Sequence, residues 1–396
     1  MPGLLAVFSE KQFQNISICH FSVTFSTSLV MPILPVFLSG KGFSETQIGL
    51  IMGTAALASV LVRPWVGTQV DTRGSRPILM WGQILLLISI SGLLWAEGLI
   101  SFVALRFVYG IAIAFYGTGA VTFASSIGTG ATNANAIALY TLMTMVGLGT
   151  SMSLSQVYFD NCGFTALVCT SSIMIGTAYC IMRFRAETLS IAANSDSSSS
   201  FLTVLKNRSV LATSAGLFGS NFAFGALFTY IPLAAISSNI SFYSFFFIAF
   251  AVSVVGSRFF VQRIIGYIGL KNTCLYGYLA MVVGVLFLVF AISPVILVVT
   301  GLLYGVGLGV TFPAFVLLLV NRIDAVNRGT SLGILIASGD IAMALAVTIL
   351  GATAEHFGYL YLFLTAAVVL AVCMYLLYAL IFAGRGDSSK ACASSG

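Results

Sequence analysis

The sequence predicts an all-α membrane protein with twelve transmembrane helices in two pseudo-symmetric halves of six. Three observations predict it: apolar residues gathered into long blocks, basic residues confined to alternate loops, and a register that repeats after 195 positions. The first follows from composition. Of 396 residues, 59% are hydrophobic and 7% charged, whereas a soluble domain carries roughly 25% charged residues. A surface that faces water cannot be built from so few charges, while each apolar block supplies the ~20 residues that cross a bilayer core. The blocks fall near 15–38, 46–66, 78–96, 98–123, 135–159, 163–183, 209–236, 242–262, 272–293, 295–320, 330–353 and 357–383. The first follows a polar-to-mixed segment with no charged leader or small-residue cleavage site, and is read as a span that stays in the protein.

The second observation sets orientation. With the N-terminus inside, Lys11, Arg73, Arg76, Arg183, Arg185, Lys206, Arg208, Arg263, Lys271, Arg322, Arg328, Arg385 and Lys390 lie on one side. Arg63 and Arg258 are expected at the inner ends of their helices. Lys41 alone falls outside, with Glu45, Glu97, Asp160 and Glu355, and Arg106 falls within a span. The positive-inside rule then predicts an even number of spans in the inner or plasma membrane, with both termini cytoplasmic. The net charge of +6 belongs to these loops, so no nucleic-acid partner is expected.

The third observation divides the chain. At a shift of 195, Arg63 falls on Arg258, Gly74 on Gly269, Arg76 on Lys271, Gly82 on Gly277, Tyr109-Gly110 on Tyr304-Gly305, Asp160 on Glu355, and Gly163-Phe164 on Gly358-Tyr359. So many matches in one register indicate an internal duplication. The expected domains are a six-helix bundle at 1–183, a linker at 184–208 with a serine-rich polar core, a second bundle at 209–383 and a tail at 384–396. Such parallel repeats hold their substrate between the halves, near the midplane.

Candidate functional residues are the polar groups that hydrocarbon makes expensive. Asp340 is the one acidic residue deep in a span, twelve positions or ~18 Å beyond Arg328. A titratable carboxyl at that depth suits proton coupling or substrate binding. Arg106 lies about eight residues into its span, always cationic, and is read as governing a carboxylate or holding an anionic group of the substrate. His20 in the first span titrates near neutral pH in water. Thr24, Tyr140, Asn221, Phe224 and Tyr230 are expected to line the cavity together with Ser22, Ser26, Thr144, Phe228 and Phe247, a lining that suits an amphiphilic solute.

After the second span comes Gly67-Thr-Gln-Val-Asp71-Thr-Arg73-Gly74-Ser-Arg76-Pro77. Gly67 permits close helix approach, Gly74 a tight turn, Asp71 accepts hydrogen bonds, and Arg73 and Arg76 can reach carboxylates or helix C-termini. This run resembles the signature loop G-x-x-x-D-x-x-G-x-[RK] of the major facilitator superfamily, with Thr72 and Ser75 where basic residues are usual. Arg106-Phe-Val-Tyr-Gly110 resembles the R-x-x-x-G element of its proton-coupled members. Val62–Gly67, Phe224–Pro232 and Ala337–Asp340 resemble a bacterial exporter branch that handles drugs, opine metallophores and siderophores. Ser151-Met152 replaces the Gly-Pro pair of the drug antiporters.

The resemblance implies a transporter working by alternating access, with the loop as a cytoplasmic latch. Its expected partners are a small-molecule substrate, protons as coupling ion and the lipid bilayer. It implies proton-coupled efflux of a small amphiphilic solute; a proton-coupled metabolite or sugar importer is the alternative. No HExxH, GxSxG or GxxxxGK[ST] motif occurs, so neither an enzyme nor a nucleotide-driven pump is expected. A monomer without cofactor or metal is anticipated, the seven cysteines (Cys19, Cys162, Cys169, Cys180, Cys274, Cys373, Cys392) reading as small packing residues.

Overall fold

A computed structural model describes residues 11–125, 131–184, 204–323 and 328–382. The core of the expected linker at 185–203, both extreme termini, Arg185, Arg385 and Lys390 lie outside the described residues. All elements are helical: α1 (Lys11–Val30), α2 (Ile33–Gly40), α3 (Glu45–Arg73), α4 (Ser75–Gly92), α5 (Leu99–Ser125), α6 (Ala131–Phe184), α7 (Arg208–Ser237), α8 (Ser244–Ile268), α9 (Leu270–Phe290), α10 (Pro294–Val320), α11 (Arg328–Phe357) and α12 (Tyr359–Phe382).

These elements make twelve crossings. The first is broken between α1 and α2 at Met31-Pro32, where proline lacks the N–H that would continue the ladder. Helix α6 holds two crossings, because Gly163 leaves the helical region at φ 77°. Tyr158 and Thr170, on either side of it, would stand ~18 Å apart along a straight helix, yet their hydroxyls are 2.6 Å apart. The chain therefore doubles back. Ten helices among the described residues are individually long and apolar enough to cross a membrane, Tyr140–Phe184 among them. The second crossing within α6 and the shorter α4 complete the set. Leu61, Ile88, Ile173, Val252 and Val372 stand exposed along the outer faces, where a bilayer rather than water covers them.

The duplication is visible in three dimensions. The positive-φ glycines Gly74 (84°) and Gly163 (77°) recur as Gly269 (83°) and Gly358 (86°), each turning one helix into the next where a Cβ would be strained. Helices α3 and α4 pack on α5 as α8 and α9 pack on α10, and α1 packs on the first crossing of α6 as α7 packs on α11. The contacts repeat residue by residue. A Cβ on Gly110 would run into the Ala55 carbonyl and the Ala58 methyl, and one on Gly305 into the Phe250 carbonyl and Ser253, each pair 195 apart. With no hydrophobic drive between helices in lipid, such small residues are what permit close packing.

The halves meet along two seams, α3 against α11 and α6 against α8, and the seams are uneven. Toward the end bearing Lys41, Glu45 and Glu355, here the acidic end, a Cβ on Gly49 would lie 2.5 Å from the Val347 carbonyl and one on Gly351 2.6 Å from that of Glu45. There Thr46 N–H donates to Glu355 Oε2 at 2.9 Å, and the Tyr359 hydroxyl donates to Glu45. Toward the other, basic end, Gly67 on α3, Gly256 on α8 and Gly333 on α11 face open space. The bundle is closed at its acidic end and parted at its basic end.

One expectation is corrected. Arg63 and Arg258 do not lie at helix ends: α3 runs on to Arg73 and α8 to Ile268, so each guanidinium sits ten residues, ~15 Å, inside its helix. Hydropathy falls near Gly67 and Gln262, but the helical hydrogen bonds continue through the polar turns that follow.

Candidate functional site

The seam between α3 and α11 carries, at the depth where it begins to part, the one ion pair among the described residues. Arg63 Nη2 lies 2.8 Å from Asp340 Oδ2, both side chains half-buried. Arg63 Nη2 also donates to Ser59 Oγ, one helical turn away, at 3.2 Å. The pair is held by charge rather than by directed hydrogen bonds, since Arg63 Nε and Asp340 Oδ2 are both sealed from solvent without a hydrogen-bond partner. Asp340 therefore contacts Arg63 on the opposite half, and Arg106, proposed from the sequence as its governor, stands apart from it. Asn221 on α7 packs against Gly339, next to Asp340, where any larger residue would collide with its amide.

A second cluster is confined to the first half. His20 on α1 is buried, with Nδ1 3.0 Å from the Tyr116 hydroxyl of α5 and Nε2 2.7 Å from Thr144 Oγ1 of α6. Thr24 Oγ1 lies 3.5 Å from Nε2, and the Tyr140 ring stacks on the imidazole at 3.9 Å. Thr144 Oγ1 also lies 3.1 Å from the Tyr140 carbonyl one turn back, and each hydroxyl can donate or accept, so either neutral tautomer of His20 can bond to both Tyr116 and Thr144. A neutral His20 has a hydroxyl partner at each ring nitrogen.

Nearer the acidic end on the same two helices, the Arg106 guanidinium lies over the Tyr109 ring, 4.4 Å from its centroid, and the Tyr109 hydroxyl bonds to Thr27. His20, Thr24 and Thr27 share one face of α1 at intervals of four and three. Tyr116 and Tyr109 were missed by sequence reading, because a tyrosine inside an apolar run looks like any other core aromatic. The usable signal was that Arg106, Tyr109 and Tyr116 fall within one stripe of their helix.

The second half contributes less than expected. Phe224 is half-buried and stacked on Phe228 at 3.9 Å, but Phe228 and Phe247 are fully buried, packed with Phe246 and Phe250. They belong to the core. Tyr230 is also sealed; its hydroxyl donates to the Val347 carbonyl and locks α7 to α11 beside Gly49 and Gly351, so in this conformation it lines no cavity.

The loop from Gly67 to Pro77 is partly engaged. Gly74 makes the turn into α4, and Arg76 Nη2 donates to the carbonyls of Met182 and Arg183 at 3.0 Å each. It thereby covers the C-terminus of α6, where the helix dipole favours a cation. Asp71 and Arg73 are exposed and Gly67 faces open space, as fits a seam that is parted here.

Comparison with known proteins agrees with this architecture. The chain is 22% identical over 388 residues to the uncharacterized MFS-type transporter YhhS of Escherichia coli K12, covering 96% of this chain and 95% of that one. It is 22% identical over 374 residues to the staphylopine export protein of Staphylococcus aureus, covering 88% and 91%. The crystal structure of the nucleoside transporter NupG superposes with a TM-score of 0.76 over 93% of this chain and 99% of that one, at 12% identity, which speaks for the fold alone. The sequence profile of the Major Facilitator Superfamily matches residues 16–346, and with twelve helices in two repeated halves the chain belongs to that superfamily of multi-pass membrane transporters.

Proposed function

We propose that this transporter exports a small amphiphilic solute, such as a drug, a metallophore or a siderophore, in exchange for protons. The observation that carries the reading is the Arg63–Asp340 contact at 2.8 Å, a titratable carboxylate joined across the two halves at the point where they part. Alternating access requires the halves to rock about their seams. A proton arriving at Asp340 removes the charge that holds Arg63, so protonation and rocking are linked through one contact. Export is supported by the likeness to the staphylopine export protein along most of both chains. The absence of a Gly-Pro pair at Ser151-Met152 is what favours the alternative, an importer with the same coupling.

Two experiments test this. In a strain deleted for the gene and grown under iron or zinc limitation, chelator in the spent medium should fall and be restored by re-expression, but not when an uncoupler collapses the proton gradient. Unchanged chelator and unchanged drug tolerance would remove the export reading. The orientation proposed with it puts residues 184–208 and 384–396 in the cytoplasm, between and after the helical bundles 1–183 and 209–383. A reporter active only in the cytoplasm should work when fused after Ser200 or Gly396 and stay silent after Lys41. Activity at Lys41 would invert or break the topology.

A further inference from the structure

We propose that Arg106 is the receptor for a carboxylate of the transported molecule, so that the substrate is an organic acid with an aromatic or otherwise apolar body; this rests on the transport reading above. The argument begins with a missing partner. Arg106 is 91% buried, since its relative exposure is 9%. Its Nε is sealed without an acceptor, and among the described residues neither a carboxylate nor a backbone carbonyl is bonded to it. Among the described residues its only neighbours in charge or hydrogen bonding are the face and hydroxyl of Tyr109. Arg63 shows what the same group does when a carboxylate is within reach. A guanidinium cannot shed its proton, and a buried cation without a counter-anion destabilises the fold that holds it.

The fold has no need of this cation. The position 195 residues on is Gly301, which packs so tightly against α8 that a Cβ would lie 2.5 Å from the Phe246 carbonyl and 2.9 Å from the Ala249 methyl. One copy of the duplicated helix is thus closed by a glycine, and the other opens to hold an arginine. Function is left to account for the difference. The guanidinium fork matches a carboxylate with two parallel hydrogen bonds. Beside it the half-buried Thr27 on α1 and Tyr109 on α5 present a hydroxyl and a ring face to the body of such an acid, and the buried His20, Thr24 and Tyr116 cluster backs them. Asp340, on the opposite half and engaged with Arg63, is left free to carry the proton.

The test uses the full chain in lipid nanodiscs with no gradient, so that binding is read apart from transport. The probes are 2-naphthoate and its uncharged isostere 2-naphthamide, titrated by equilibrium dialysis. The acid should bind at least tenfold more tightly than the amide, Arg106→Gln should remove that preference, and Arg106→Lys, which keeps the charge but not the fork, should weaken the acid several-fold while leaving the amide unchanged. Equal binding of acid and amide by the native chain overturns the proposal. So does an acid preference that survives in Arg106→Gln or, if that variant does not fold, an acid affinity unchanged in Arg106→Lys. Failure of the transport reading is distinguishable: acid-selective binding would persist while reconstituted vesicles move no solute in response to a pH gradient.

Discussion

Replacing Asp340 by asparagine is expected to abolish solute movement driven by a pH gradient while leaving exchange of solute across the membrane intact. Asn keeps the shape of the side chain and one of its two acceptor oxygens but cannot take up a proton or carry the charge, so it separates coupling from packing. Coupling free energies between two sites are ~1–3 kcal/mol, or roughly 5- to 150-fold, and gradient-driven flux should fall toward the upper end of that range. The Arg63–Asp340 contact is only half-buried, at 29% and 27% side-chain exposure. Its loss should therefore cost far less stability than the several kcal/mol lost when one member of a sealed pair is removed. Proteoliposomes with purified variant decide the matter: normal flux with an unchanged dependence on the pH gradient would make Asp340 structural. The coupling site would then be sought at His20, which has a hydroxyl at each ring nitrogen.

The second large effect is expected at the acidic end. Gly49→Leu places a side chain where the Val347 carbonyl stands 2.5 Å from an added Cβ, with Gly351 Cα 3.2 Å away. Backbone cannot yield as a flexible side chain does, and overpacking costs ~1–3 kcal/mol. Because only the closed state has this contact, the cost is a difference between states, and 2 kcal/mol corresponds to about thirtyfold in their ratio. The variant should be biased toward opening at the acidic end. Ala344→Cys, at a buried position in the seam opposite Gly53 and introduced into a chain cleared of its own reactive cysteines, reports on it by reaction with an impermeant maleimide from that side. Labelling should rise more than tenfold with Gly49→Leu, while transport falls. Labelling that does not change would show that the seam closes by other contacts.

Much of this was legible in the sequence because membranes enforce strong rules. Apolar blocks and basic loops gave the crossings, and the 195-residue register gave turns that reappear as matched positive-φ glycines. What resisted reading were the pairings. Arg63 looked like a helix-end charge because hydropathy drops at Gly67, although the helix continues to Arg73; its partner is on α11, and no spacing along a chain tells which face of one helix meets another. Tyr116, whose hydroxyl meets His20 Nδ1, was hidden because aromatic residues in lipid-spanning helices serve packing and chemistry alike. Phe228 and Phe247 erred in the opposite direction, proposed for a cavity and found in the core.

The duplicated arginines suggest how such a machine divides its labour. Arg63 reaches over the seam to Asp340, but its counterpart Arg258 lies over Phe312 within its own half, 5.7 Å from the ring centroid, and the residue matching Asp340 is Met145. One seam is a bolt and the other a plain bearing. A rocking body needs two bearings to move but only one bolt to be locked, and a bolt duplicated with the gene would have to be drawn twice in every cycle. With Met145 where a second carboxylate would stand, the coupling proposed above has a single place at which a proton can act. The symmetry that built the two halves is broken at that one contact.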